Sequence, residues 1–294
     1  MNKRDRCGTP FPARMPHASS HFQLSTAPRG VLRVGQVDGV LERARLVPPQ
    51  RLEAFVHHCW SLRWDLEAPF EAEVLPYPAF QLTIEQSGRR IRATVAGIRT
   101  RRVARALRGR GAFFGIQFRP AAFQPLGSGS LSRFTDSPAP AANLFGADTR
   151  AWARQLLAAT DHDRRLALCA DFLAPRLRAL SAPQEQLRDL IEQLPTTQSL
   201  TSVEDVAMHL GMDVRTLQRR FQCHVGIGPK WVLQRQRLQE AALLLTQPRA
   251  PSISRVAATL GYADQAHFSR AFKLATGRAP VRGKPDGYSP PSTD

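Results

Sequence analysis

Two short runs near the C-terminus gather side chains suited to one kind of chemistry. The first holds Arg215, Gln218, Arg219 and Arg220; the second holds Gln265, Ala266, His267, Arg270 and Lys273. A guanidinium offers a planar fork of donors that fits a phosphate or the O6 and N7 of guanine, and a carboxamide fits adenine in a similar way. The chain around them is strongly basic: 41 Lys and Arg stand against 24 Asp and Glu, a formal net charge of +17. Such a balance points to a polyanionic partner, because cations that neutralise phosphates release condensed counterions. Charge alone does not separate DNA, RNA and an anionic membrane.

The elements that must carry these side chains repeat. Val203, Val206, Ala207 and Leu210 lie at i, i+3, i+4 and i+7, one apolar stripe of a short helix. Ser202 is its N-cap, and Asp205 in the first turn favours the start electrostatically. Gly211 ends it, where a left-handed backbone is needed. Asp213 then caps a second helix that turns Val214, Leu217 and Phe221 inward, and Gly226 with Pro229 close the unit. About fifty residues later Ile253, Val256, Ala257 and Leu260 form the stripe, Gly261 makes the turn, Asp264 caps, and Phe268 and Phe272 face inward. Gly277 and Pro280 close this second unit, whose turn is one residue longer. Trp231, Leu238, Ala242 and Leu245 give one face to a connecting helix. A short helix, a glycine turn and a capped second helix is the helix-turn-helix plan. The bland alternative is a helical bundle with a solvated charged face; two copies in a basic chain favour the first reading.

Elsewhere the signals are weaker. Residues 1–30 are rich in Pro, Ser, Arg and His without periodicity and read as a disordered arm. From about 31 to 120 the pattern is strand-like: Phe80, Leu82 and Ile84 alternate with polar residues, Gly88 suits a turn, Ile91 to Val95 returns as a partner, and Phe113 to Phe118 forms another strand stopped by Pro120. Gly127 to Pro140 reads as loop. Helical patterns dominate from Thr149, with Pro175 and Pro183 as breakers and a domain boundary near Ala182–Pro183. Arg89 to Arg110 holds nine arginines and no acid. That run either adds phosphate contacts or forms the solvated face of a hairpin with Ile91, Val95 and Val103 inward; the second reading is favoured.

The stretch from Gly261 to Lys273, Gly-Tyr-Ala-Asp-Gln-Ala-His-Phe-Ser-Arg-Ala-Phe-Lys, followed by Gly277 and Pro280, closely resembles the signature of AraC-family transcription regulators. Asp213 to Phe221 is similar to that family's first recognition helix, and the resemblance covers about residues 184–282. More loosely, Phe55 to Trp60 and Gly111 to Pro120 resemble the N-terminal domain of one AraC subgroup. The chain departs from the family after Pro280: Gly283, Pro285 and Gly287 leave no room for a terminal helix.

The resemblance implies an α+β chain. A β-rich regulatory or sensor domain would span 31–182, an all-α domain with two helix-turn-helix units and a connecting helix 183–283, and a disordered tail 284–294. It implies recognition helices at about 213–224 and 264–275 entering successive major grooves, with the nine side chains named first touching bases and phosphates. Double-stranded DNA is the expected partner; RNA polymerase, a small-molecule effector and a second copy are open ones. No cofactor, metal or membrane partner is expected, and the activity is not enzymatic. His57, His58 and Cys59 alternate across a strand and so would not converge on a metal. Cys7, Cys59, Cys169 and Cys223 show no paired spacing. No Gly-rich phosphate loop, nucleophile elbow or HExxH pattern occurs. Pro10, Pro12, Pro16 and His17 interrupt the basic N-terminus, which argues against a signal peptide, and no apolar run reaches the ~18 residues of a membrane span, so a cytoplasmic protein is expected. The rival reading is a sequence-independent nucleic-acid binder, which would need stacking aromatics, yet these are 7% of the chain.

Overall fold

The computed structural model describes residues 39–74, 77–100, 103–123, 130–197, 199–245, 247 and 249–282. The arm at 1–30, the tail at 284–294 and Gly283, Pro285 and Gly287 lie outside them. Six strands come first: β1 (Gly39–Leu46), β2 (Val56–Val74), β3 (Gln81–Ser87), β4 (Arg90–Ala96), β5 (Val103–Phe118) and β6 (Ala139–Pro140). They form one antiparallel sheet in the order β1-β2-β5-β3-β4-β6. With the helices that follow, the chain is α+β.

Alternation along the strands separates two apolar faces. Cys59, Leu82, Ile84, Val95, Phe114 and Ile116 form one, covered by α1 (Ala142–Phe145), α2 (Thr149–Ala158) and α3 (His162–Leu173) through Phe145, Trp152, Leu156, Phe172 and Leu173. On the other, Trp60, Leu62, Trp64, Leu66, Leu107 and Phe113 pack together. Two glycines of β5 make this second face possible. A Cβ on Gly115 would fall within the Trp60 indole, and one on Gly111 within that of Trp64.

Three expectations for this region need correction. The arginine run is not one hairpin: β4 pairs with β3, and β5 lies across β3 from it. Val95 is buried and Ile91 half-buried on the helix-covered face, as expected, while the Val103 side chain is outside the described ones. His57 and His58 do meet. A β-bulge between Val56 and His58 breaks the alternation and brings their Nδ1 atoms to 2.8 Å, while Cys59 is buried on the opposite face. Of the segment expected as loop, 130–140 is ordered: Leu131–Phe134 is a 3-10 turn, Ser130 accepting from the Ser132 amide, with Leu131 and Phe134 buried, and β6 follows.

The remaining helices are α4 (Ala182–Gln193), α5 (Val203–His209), α6 (Val214–His224), α7 (Pro229–Leu245), α8 (Ile253–Thr259) and α9 (Gln265–Thr276). Pro183 does not break a helix. It sits in the first turn of α4, where its missing N–H costs nothing. The repeat is built alike twice. Ser202 and Ser252 cap α5 and α8, accepting from Asp205 and Arg255; Asp213 and Asp264 cap α6 and α9, accepting from Thr216 and His267. The turns need Gly211 at φ +62 and Gly261 at φ +71, a conformation that would strain any Cβ.

Two outcomes are expected. Gly115→Ala should cost about 1–3 kcal/mol or more through collision with Trp60, measured as a shift of the urea midpoint at constant slope; a neutral result would mean the indole is free to move. The acid limb of stability should involve the caps. Hydrogen bonds hold three carboxyls below the usual range: from Ser202 to Asp205, from the Thr216 amide and hydroxyl to Asp213, and from the His267 amide to Asp264. With folded pKa values depressed, their contribution is complete above the unfolded value of about 4 and is lost as pH falls through the folded ones. Asp213→Asn with Asp264→Asn should therefore flatten the fall in stability below about pH 4.

Candidate nucleic-acid interface

Burial divides the second helix of each unit into two sides. On α6 Leu217 and Phe221 are fully buried, while Arg215, Gln218 and Arg219 are exposed on the opposite face. On α9 Phe268 and Phe272 are buried, and Gln265, Ala266, His267, Arg270 and Lys273 are exposed. Eight of the nine side chains singled out in the sequence therefore point away from the protein's own body. The ninth, Arg220, is half-buried, its Nη1 donating to Gln186 Oε1 of α4 at 3.1 Å. Nothing local in the sequence tied Gln186 to α6, because the contact depends on how α4 lies across it.

The two units have separate cores. Val206, Ala207, Leu217, Phe221, Val225, Val232 and Leu233 belong to the first, and Leu238, Ala242, Leu245, Val256, Leu260, Phe268 and Phe272 to the second. Helix α7 serves both. Trp231 is half-buried against the first core, so the expected single stripe from Trp231 to Leu245 is in fact divided between them. Also on α7, and missed in the sequence, is Arg235. Only 5% of it is exposed. Its guanidinium lies 5.0 Å from the Trp231 ring centre, Nη2 approaches the Thr100 carbonyl at 3.5 Å, and desolvation pulls its pKa down to about 10. An arginine between two glutamines gives no sequence sign of burial. The cap Ser252, by contrast, carries the same signal as Ser202 and could have been found.

Arg89, Arg90 and Arg92 sit at the β3–β4 hairpin. Ile98, just past the other end of β4, enters the first helix-turn-helix core. Among the described residues no group of three or more His, Cys, Asp or Glu is placed to hold a metal, and no helix is long and apolar enough to cross a membrane.

Comparison with known proteins agrees with this geometry. A helix-turn-helix domain family matches residues 206–282, and a domain family of unknown function matches 44–140. The arabinose operon regulatory protein of Salmonella typhimurium is 30% identical over 119 residues, 40% of each chain. The transcriptional activator RhaS of Pectobacterium carotovorum is 37% identical over 84 residues, 29% of this chain and 30% of that one. The solved C-terminal domain of AraT, a response regulator from Geobacillus stearothermophilus, is 30% identical, with 35% of this chain and 84% of that one covered at a TM-score of 0.30. The chain thus spans two fifths or less of those curated relatives. The similarity lies where the two capped units lie, and residues 206–282 carry a helix-turn-helix domain of the AraC type.

Proposed function

We propose that this chain is a sequence-specific DNA-binding transcription regulator that lays α6 and α9 into successive major grooves of one duplex. One observation carries the reading: two like-built helices, held by a shared buried helix, turn exposed polar faces of Arg and Gln outward. Arg215, Gln218 and Arg219 are the base-reading candidates on α6. Gln265, His267 and Arg270 are those on α9, where Ala266 gives close approach or a methyl contact to thymine. Lys273 and Arg220 lie where backbone phosphates would run. Successive grooves on one face are about 34 Å apart, so a single chain would read an asymmetric site of two short boxes.

A sequence-independent grip works through exposed aromatic faces. Here Phe221, Phe268 and Phe272 are spent inside the two cores. In the proposed division, residues up to about 182 regulate and 183–283 bind. A small-molecule effector or a second copy would act through the sheet domain, and RNA polymerase would be met at the promoter. The compartment is the one that holds the duplex, the cytoplasm.

Arg219→Ala should lose about 1–3 kcal/mol and blur base preference at one box. Binding to a duplex selected by the protein from random sequence, compared with an unselected one, measures this; equal loss on both duplexes would rule out base reading by Arg219. Affinity should also fall with salt with a log–log slope of about −0.9 per phosphate contacted. A flat response would remove the nucleic acid from the account altogether.

A further inference from the structure

The sheet domain touches the two helix-turn-helix units very unequally. Ile98 and Ala121, both from the sheet domain, are members of the first unit's core, whereas among the described residues the second core holds none from before α7. Apart from the contact of Arg235 Nη2 with the Thr100 carbonyl, on the helix that both units share, the hydrogen bonds that cross between the domains follow the same division. Arg119 makes a half-buried, two-pronged ion pair with Glu192 of α4, both contacts at 2.8 Å, and Gln184 donates to the Ala121 carbonyl at 3.2 Å. Ser130 and Thr135, which flank the 3-10 turn, donate their hydroxyls to the carbonyls of Gln222 at 3.0 Å and Gly226 at 2.7 Å.

Those last two contacts fall at the C-terminal end of α6. A helix leaves its final carbonyls without intrahelical donors. At α6 both the Val225 and Gly226 amides turn back to the Phe221 carbonyl, leaving that of Gln222 to the Ser130 hydroxyl. Gly226, at φ +91, lets the Leu131 backbone come close: a Cβ there would stand 3.1 Å from the Leu131 carbonyl oxygen. The 3-10 turn is itself braced, since the Asp136 amide donates to the Ile98 carbonyl and Asp136 accepts from the amide and hydroxyl of Thr100. Helix α9 is closed differently, by its own residues. The Gly277 amide donates to Lys273, and the Thr276 hydroxyl to Phe272.

We infer that Ser130 and Thr135 are positioning residues for the first recognition helix, so that the sheet domain sets the aim of α6 alone and leaves α9 to bind on its own terms. The inference rests on the reading of α6 and α9 as DNA-recognition helices. A change in the sheet domain then alters occupancy of one box of the site and not the other, a graded regulation that does not require release from DNA.

The test uses the full chain and a duplex it has selected from random sequence, with hydroxyl-radical footprints titrated at each box; Arg219→Ala identifies the box that α6 reads. In Ser130→Ala with Thr135→Val, the midpoint for the α6 box should rise about five- to tenfold while that for the α9 box stays put. Thr135→Ser, which keeps the donor, should restore the Thr135 share. Hydrogen exchange in the free protein gives a second measure: amides of the last turn of α6 should lose protection and those of α9 should not. Equal weakening of both boxes, or no change at either with exchange unaltered, overturns the inference and leaves DNA recognition standing. Absence of any sequence-specific footprint from the unaltered chain overturns recognition, and the inference with it.

Discussion

A helix-turn-helix unit this small cannot hold its second helix steady with its own surface. The first helices, α5 and α8, are seven residues each, and a single short stripe on each faces the recognition helix. Both units draw the missing apolar area from α7. Its first half gives Val232 and Leu233 to one core and its second half gives Leu238, Ala241, Ala242 and Leu245 to the other. A seventeen-residue helix is about 25 Å long and does not bend easily when packed along its length. The separation of α6 and α9 is therefore a property of α7. In the proposed reading, two grooves could be met together only because that one helix is buried on nearly all sides.

Arg235 sits in the middle of this rod and does not stabilise it. Among the described residues its Nε and Nη1 have no hydrogen-bond partner, and the nearby Tyr262 hydroxyl has none either. Burying a guanidinium on such terms costs free energy that the Trp231 ring and the Thr100 carbonyl offset only in part. What the charge contributes is placement. It lies where Trp231 of the first unit, Tyr262 of the second and Thr100 of the sheet domain come together. A buried ion is poor glue and a good register mark.

How much of this was legible in the sequence depends on the range of each interaction. The caps at Ser202, Asp213 and Asp264, the glycine turns and the inward Leu217, Phe221, Phe268 and Phe272 are local signals, each set within one helical turn, and the structure has them where the pattern put them. The β3–β4 hairpin was legible for the same reason. The nineteen-residue β2 was not, because a strand that long owes its extent to partners on both sides, β1 and β5, far away in sequence. The arginine run was misassigned because consecutive strands need not be neighbours, and the His57–His58 contact because a bulge suspends the rule of alternation. Exposure of the recognition faces was readable by elimination. The tie from Gln186 to Arg220 was not, since it joins helices thirty-four residues apart.

The capping aspartates bear on how such a face meets a polyanion. The N-terminus of a helix is ordinarily a phosphate site, because its free amides and dipole favour an anion. At α6 and α9 part of that place is taken, since the carboxylates of Asp213 and Asp264 accept from the Thr216 and His267 amides. A phosphate cannot use those same donors, and a fixed negative charge stands at each helix entry. Attraction must then come from side chains further along, Arg215 and Arg219 on one helix and Arg270 and Lys273 on the other. The caps thus move the positive field from the helix ends, where any backbone would satisfy it, to the outward flanks, where guanidinium forks also reach base edges. A chain of net charge +17 risks binding any duplex equally well. In the proposed reading, acids at both points of entry would make the approach depend on the side chains further along each helix.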